Sequence, residues 1–492
     1  MRTIGRAAWA AGCGGALAVA VAVASNAESL GDAISLAYET NPGLQAERAQ
    51  LRSTDEGYVQ AEAGLRPTVS VNGGYTYENA KVTEGAFSGQ FAGGTGTAGI
   101  TASQPLYTGG RVTSRMDAAK ADILAERENL RRQEISVIQG VVGAYLDVRR
   151  DSQALAIADD NVKVLQHELE ETSARFDAGQ LSLTDVSQAK ARLALAKSQL
   201  ATAQGTLTQS RAAYRAVVGQ DAGELAAEPD IEALLPATVD VAFEAADRNN
   251  PQVRQADYAE EGSAARLAEA KAQTRPTVTL NGQYGYVGEQ EGAGFGSTPG
   301  LLIQELGGTV AIQATAPVFS GGLTSSQIRQ AAAQDDVAQF GVETARRQAE
   351  QATAQAWSQL LSARANVTSD VEQVKSDQTA FEGVTAEQKV GLRTVLDVLN
   401  AQQELENSEI SLVTARHDAY IAAVAVLAAT GALDTRDFAP AERLYDPKSN
   451  LDKVSHGVGW VPWQGAVVAI DRLGAPATVD RTPAPSQSDV TR

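Results

Sequence analysis

The residues best placed to do chemistry in this chain are charged ones at two turns that are built alike. Residues 390–405 read V-G-L-R-T-V-L-D-V-L-N-A-Q-Q-E-L, and residues 178–193 read A-G-Q-L-S-L-T-D-V-S-Q-A-K-A-R-L. Gly179 pairs with Gly391, Asp185 with Asp397, Val186 with Val398 and Leu193 with Leu405. Each stretch joins two helical patterns through a glycine and restarts with Ser or Thr followed by Asp. The chemistry these residues offer is electrostatic: one negative charge fixed at each helix restart. The plain alternative is that Thr184 with Asp185, and Thr394 with Asp397, cap the helices that follow. Arg393 then reads as a solvated surface charge.

Catalytic patterns are missing. His167, His417 and His456 stand far apart and in no ligand spacing such as H-x-x-x-H. Gly94, Gly96 and Gly99 form a G-x-G-x-x-G, but it precedes a strand pattern and opens no helix, so it reads as loop glycine rather than a dinucleotide site. No phosphate-binding G-x-x-x-x-G-K-[ST] occurs, so energy must come from a partner. The chain is expected to be no enzyme and to carry no cofactor or metal.

The elements that position the turns begin with an export signal. Arg2 and Arg6 precede an apolar run ending in small residues at Ser25 and Ala27, which reads as a secretory signal peptide over residues 1–27. Cys13 is the only cysteine and lies inside that run rather than closing it, which disfavours lipid attachment. An exported chain without disulfides is held by packing or by its neighbours. Its net charge of −19 argues against nucleic acid as a partner. After the leader, the most apolar helical stretch is residues 421–433, short of the roughly 20 residues that span a bilayer.

Beyond the leader the chain is a tandem repeat. Asn41-Pro42 recurs as Asn250-Pro251, Arg66-Pro67-Thr68-Val69 as Arg275-Pro276-Thr277-Val278, and the corner P-L-Y-T-G-G at Pro105 as P-V-F-S-G-G at Pro317. The spacing is constant apart from a three-residue insertion. Repeat 1 is placed at 28–235, repeat 2 at 236–435, and a largely irregular tail at 436–492. Each repeat starts with a short helix, near Ser29 or Asp240, that stops at the Asn-Pro pair. A helix of about 25 residues follows and ends before Pro67 or Pro276.

The pattern then changes to period 2. Val69, Val71, Tyr75 and Tyr77 alternate with polar residues, as do Val278, Leu280, Tyr284 and Tyr286. Each repeat is expected to hold one β-hairpin of about ten residues per strand, over 68–107 and 277–319, with Gly-rich loops at 78–93 and 288–307. A helix on the order of 95 Å comes next. A turn at 177–182 or 389–393 leads to a return helix ending at Gly219 or Gly431. The two shorter helices together nearly match the long one, so they can stack end to end beside it.

Strands of this length suit an outer membrane, but four leave open edges that lipid does not tolerate. Several chains must pool strands, since known bacterial barrels need eight or more; two chains or three would do. A soluble hairpin packed on helices is the plain alternative.

Taken together, the helix–hairpin–long helix order, the R-P strand start, the P-[LV]-[YF]-x-G-G corner and the G-x-x-T-x-L-D-V-L-x-A-Q turn resemble the TolC family of outer-membrane channel proteins. The likeness runs from about Ser29 to Leu433. It implies a mixed α+β homotrimer in the outer-membrane lipid, with a twelve-stranded barrel continuing as an α-helical coiled-coil tunnel through the periplasm. It further implies a periplasmic gate at the turns. Asp397 stands where the family has the first of two acidic residues ringing the constriction, and Asn400 replaces the second, which weakens the ring. Arg393 matches an arginine that ties its tip to the neighbouring one, through Thr184 or Asp185. Gln388 stands where a tyrosine often lies, which leaves that second latch open. The partners implied are a periplasmic adaptor and an inner-membrane ABC or proton-driven transporter. The turn motif and unlipidated N-terminus point to type I protein secretion, with multidrug efflux the near alternative and a pore-less periplasmic scaffold the distant one.

Overall fold

The computed structural model describes residues 27–84, 87–290, 302–438, 445–455, 457 and 459–475. The expected leader apart from Ala27, with Cys13, His456 and residues 476–492, lies outside the described residues.

Both repeats open as their caps dictate. α1 (Leu30–Thr40) starts at Ser29, whose side chain and backbone exchange hydrogen bonds with Asp32. Asn41 then ends α1 and starts α2 (Pro42–Ala63), its Oδ1 accepting the Leu44 N–H at 3.1 Å. Asn250 does the same between α5 (Val239–Asn249) and α6 (Pro251–Ala272). Strands β1 (Thr68–Glu84) and β2 (Phe87–Tyr107) lead to α3 (Arg111–Asp177) and α4 (Leu183–Val218). In repeat 2, β3 (Thr277–Gln290) and β4 (Leu302–Thr315) lead to α7 (Leu323–Lys389) and α8 (Val395–Ala429).

α3 and α7 are each 67 residues, about 100 Å long. The end-to-end stacking is present. α2 packs on the strand-side part of α3 through Leu44, Leu51 and Ala61, and α4 packs on the remainder. The two shorter helices meet where Thr40 Oγ1 donates to the Val218 carbonyl at 3.4 Å. The Asn250 side-chain amide donates to the Ala429 carbonyl at 2.8 Å, the matching junction of α6 and α8. α6 and α8 also lie against α3, so the repeats interlock side by side.

The main core forms midway along this column. Ile138, Val141, Val142 and Tyr145 of α3 pack with Leu30 and Ile34 of α1 and with Val424, Val426 and Leu427 of α8. Contrary to the expectation that no helix beyond the leader is apolar enough to span a bilayer, α8 meets that criterion by length and composition. Its apolar end is spent on this core.

The four strands form one antiparallel sheet in the order β1-β2-β3-β4. Its register puts Val71, Ile100, Tyr284 and Gly308 in line, with Val69, Ala102, Gly282 and Val310 beside them. One face is therefore apolar. The other carries Ser70, Asn72, Thr101 and Gln283, with Ser70 and Thr101 hydroxyls 2.6 Å apart. Strands are longer than expected: β1 and β2 run 17 and 21 residues and stay paired to Glu84 and Phe87. The expected loop at 78–93 is mostly strand, and Gly94, Gly96 and Gly99 lie inside β2, because backbone pairing does not require side-chain alternation. Of the expected loop at 288–307, residues 288–290 and 302–307 are strand and 291–301 lie outside the described residues. β4 stops at Thr315, short of the expected 319, just before Pro317, which has no N–H to offer a ladder.

The tail departs most from expectation. Within it α9 (Ser449–Ser455) and α10 (Gln464–Arg472) dock on repeat 1. Asp471 is fully buried. Its Oδ1 accepts from the Thr108 N–H at 2.6 Å and the Thr108 hydroxyl at 2.9 Å, and its Oδ2 from the Thr113 hydroxyl at 3.2 Å. Upstream, the Arg48 guanidinium lies between the rings of Tyr38 and Tyr445, at 4.3 and 5.0 Å.

Candidate functional site

The two turns close alike. Gly179 and Gly391 adopt φ of +73° and +80°, a backbone region that favours glycine and ends a helix. In the second turn the Gly391 N–H donates to the Gln388 carbonyl at 3.0 Å and the Leu392 N–H to the Glu387 carbonyl at 2.9 Å. Gln388 is buried.

Both return helices start with a capping box. Asp185 Oδ2 accepts from the Ser182 N–H at 2.9 Å and the Ser182 hydroxyl at 2.7 Å. Asp397 Oδ2 accepts from the Thr394 N–H at 3.0 Å and the Thr394 hydroxyl at 2.8 Å. The Ser182 hydroxyl holds Asp185, and the Thr394 backbone and hydroxyl with nearby Arg393 hold Asp397, below the usual carboxylate range. Both carboxylates are ionised at neutral pH. The cap in the first turn is Ser182, not Thr184, which sits exposed in the first helical turn.

Arg393 makes no bond to Thr184 or Asp185 within the chain. Its Nε donates to Glu387 Oε2 at 2.9 Å, because the tight turn at Gly391 folds those two residues together. The tie between the two tips is one that spacing did not reveal: Arg192 of α4 donates to Asn400 Oδ1 of α8 at 2.8 Å. Asn400, uncharged where the resemblance has an acid, is the acceptor of this bond.

Behind the tips an apolar cluster joins three helices through Val162 and Leu165, Ala189 and Leu193, and Val395 and Leu399. One step further in, Asn161 of α3 donates to Glu406 Oε2 at 2.6 Å and accepts from Gln402 at 3.1 Å. Burial raises the Glu406 pKa above the usual carboxylate range. Among the described residues no cluster of His, Cys, Asp or Glu is arranged to hold a metal. The arrangement presents ionised carboxylates on exposed turns of long levers, which can bind cations and move as the helix pairs move.

The comparisons fit this geometry. The family described as Outer membrane efflux protein matches residues 33–220 and 243–432, one span in each repeat. Outer membrane efflux protein BepC of Brucella suis biovar 1 (strain 1330) is 31% identical over 433 residues, 88% of this chain and 91% of that protein. Outer membrane protein TolC of Vibrio cholerae serotype O1 is 26% identical over 418 residues, 84% of this chain and 92% of that protein. The solved structure of the outer membrane protein VceC, also from Vibrio cholerae, shares the fold with a TM-score of 0.67 at 22% identity, over 82% of this chain and 96% of that one. With a family match that spans both repeats and most of the chain, this protein belongs to the outer membrane efflux protein family, the TolC-like channels of the Gram-negative outer membrane.

Proposed function

We propose that three copies of this chain form one exit duct, with a twelve-stranded barrel in the outer membrane and a helical tunnel below it. The observation that carries this is the unfinished edge of the chain. β1 and β4 each have one unpaired side, and an open sheet edge is not tolerated in lipid. α7, which follows β4 in the chain, leaves Val337 and Phe340 exposed at 71% and 73%, while the equivalent long helix α3 is covered by its neighbours in the chain. Copies placed side by side pair β4 with the next β1 and cover α7. The number three comes from the family resemblance. Light scattering on detergent-solubilised protein tests it: a mass of three chains is expected, and a monomer contradicts the duct.

In this assembly the tips form the periplasmic gate. Three copies of Asp397 face a common axis, Arg393 reaches Thr184 or Asp185 of a neighbouring copy once freed from Glu387, and the Arg192–Asn400 bond holds the hairpins of one copy together. A periplasmic adaptor and an energised inner-membrane transporter open it by splaying the helix pairs. For the cargo, the resemblance of the turn motif supports type I protein secretion. The name of the relative BepC, an efflux protein, supports small-molecule efflux as a second reading. Deleting the gene separates them: loss of an extracellular protein supports the first, and drug sensitivity alone the second.

A further inference from the structure

The C-terminal segment places apolar side chains where nothing among the described residues covers them. Trp460 and Trp463 are 53% and 52% exposed, and Ile470 and Leu473 are also exposed, whereas Val467 and Asp471 on the other side of α10 are buried. α10 is therefore pinned by one side and bare on the other.

Its position is fixed by two contacts. Asp471 binds the backbone at the start of α3, where the sheet gives way to the helical column. Trp463 donates its indole N–H to Gln104 Oε1 at 3.2 Å. Gln104 pairs with Leu280, and so stands on the apolar face of the sheet with Ile100 and Tyr284, at its helix-side rim. The close wrap is built in. A Cβ on Gly110 would lie 2.4 Å from Ala475, whereas its counterpart in repeat 2, Gly322, faces open space.

We infer that this segment is a lipid-interface anchor, seating Trp460, Trp463, Ile470 and Leu473 among phospholipid headgroups of the periplasmic leaflet of the outer membrane. Three features favour lipid over a second protein copy. The apolar face carrying Gln104 is the one that a barrel turns to lipid. β2, which bears Gln104, is an inner strand of the sheet and not an edge where a copy would join. And an indole, with an apolar body and a hydrogen-bonding edge, suits the headgroup zone.

The spacing agrees as well. The tyrosines of the apolar face, Tyr75, Tyr77, Tyr284 and Tyr286, lie toward its far end, and Tyr77 is opposite Gly94. From Gly94 to Gln104 is about 26 Å along the membrane normal at about 3.4 Å per residue and a tilt of about 40°, close to the ~25 Å apolar band of such barrels. The tail thus adds two tryptophans at the helix-side rim, where β2 itself ends in Tyr107.

This inference rests on the barrel reading, and its test separates the two. The full-length protein carrying Trp357→Phe, purified from membranes after export, is reconstituted into phosphatidylethanolamine–phosphatidylglycerol vesicles with bromine near the headgroup. The expected result is that most of its tryptophan emission is lost relative to unbrominated vesicles. A chain with Trp460→Phe and Trp463→Phe, keeping Trp357 in the helical column, should lose little. Protein that floats with the vesicles but is quenched only by acrylamide in the water overturns the anchor and leaves the barrel standing. Floating protein quenched by neither points to a covering protein copy and likewise overturns it. Protein that does not float with vesicles removes the barrel reading and the anchor together.

Discussion

Asn161 and Glu406 meet at 2.6 Å between α3 and α8, with only 5% and 2% of their surfaces exposed. This buried bond links the long helix of one repeat to the return helix of the other, just behind the tips. Gln402 and Gln403 complete the network, and removing Glu406 leaves the Asn161 side-chain amide buried without its acceptor.

The first prediction follows from that burial. Glu406→Ala should cost about 1–3 kcal/mol, the usual penalty for orphaned buried partners. Folding raises the Glu406 pKa, so the folded chain holds its proton more tightly than the unfolded chain. This group's contribution is therefore most favourable at low pH and falls as pH rises from the ordinary carboxylate range through the raised value. Glu406→Gln, which keeps an acceptor for Asn161, should flatten that component. Thermal unfolding at about pH 5 and about pH 8 checks both.

The second concerns the tie between the tips. Arg192→Ala removes the donor to Asn400 and leaves both capping boxes intact. The helix pairs should part more readily and the closed channel should leak. Ion conductance in a planar bilayer measures this, with no rise over the parent speaking against the tie.

The third separates the two roles of Asp397. An Asn side-chain oxygen at 397 can still accept from the Thr394 N–H and hydroxyl, so Asp397→Asn should leave the fold in place while removing a charge. Cation preference and block by multivalent cations should both weaken. Unchanged ion selectivity removes Asp397 from the constriction.

The fourth addresses the tail. Asp471→Ala should leave the Thr108, Gly110 and Thr113 N–H groups buried without their acceptor, at a cost of roughly 2–3 kcal/mol. Limited proteolysis should then cut after Arg472 sooner than in the parent. Equal protection contradicts the role assigned to this carboxylate.

Much of this architecture was legible because it is local and repeated. Asn-Pro pairs and turn glycines mark the helix boundaries in both copies, and Thr394 with Asp397 marks the second return helix, whereas the first is capped by Ser182 rather than Thr184. Strand ends were less legible, since Gly, Ser and Thr extend a ladder without an apolar alternation to mark them. Contacts between distant elements left no sequence trace. Arg192 reads as one more helix charge, and nothing near Asp471 signals that it seats against residues more than 350 positions earlier. Arg393 shows the opposite case: the resemblance supplied a partner in another tip, while the turn brings Glu387 nearer within the chain.

The central claim is that these chains make a gated pore, and single-channel recording of the purified protein in a planar lipid bilayer tests it most directly. Long-lived, cation-preferring channels are expected, with a conductance that rises when the Arg192–Asn400 tie is cut. Silent membranes, with the protein recovered as a soluble periplasmic monomer, would contradict it.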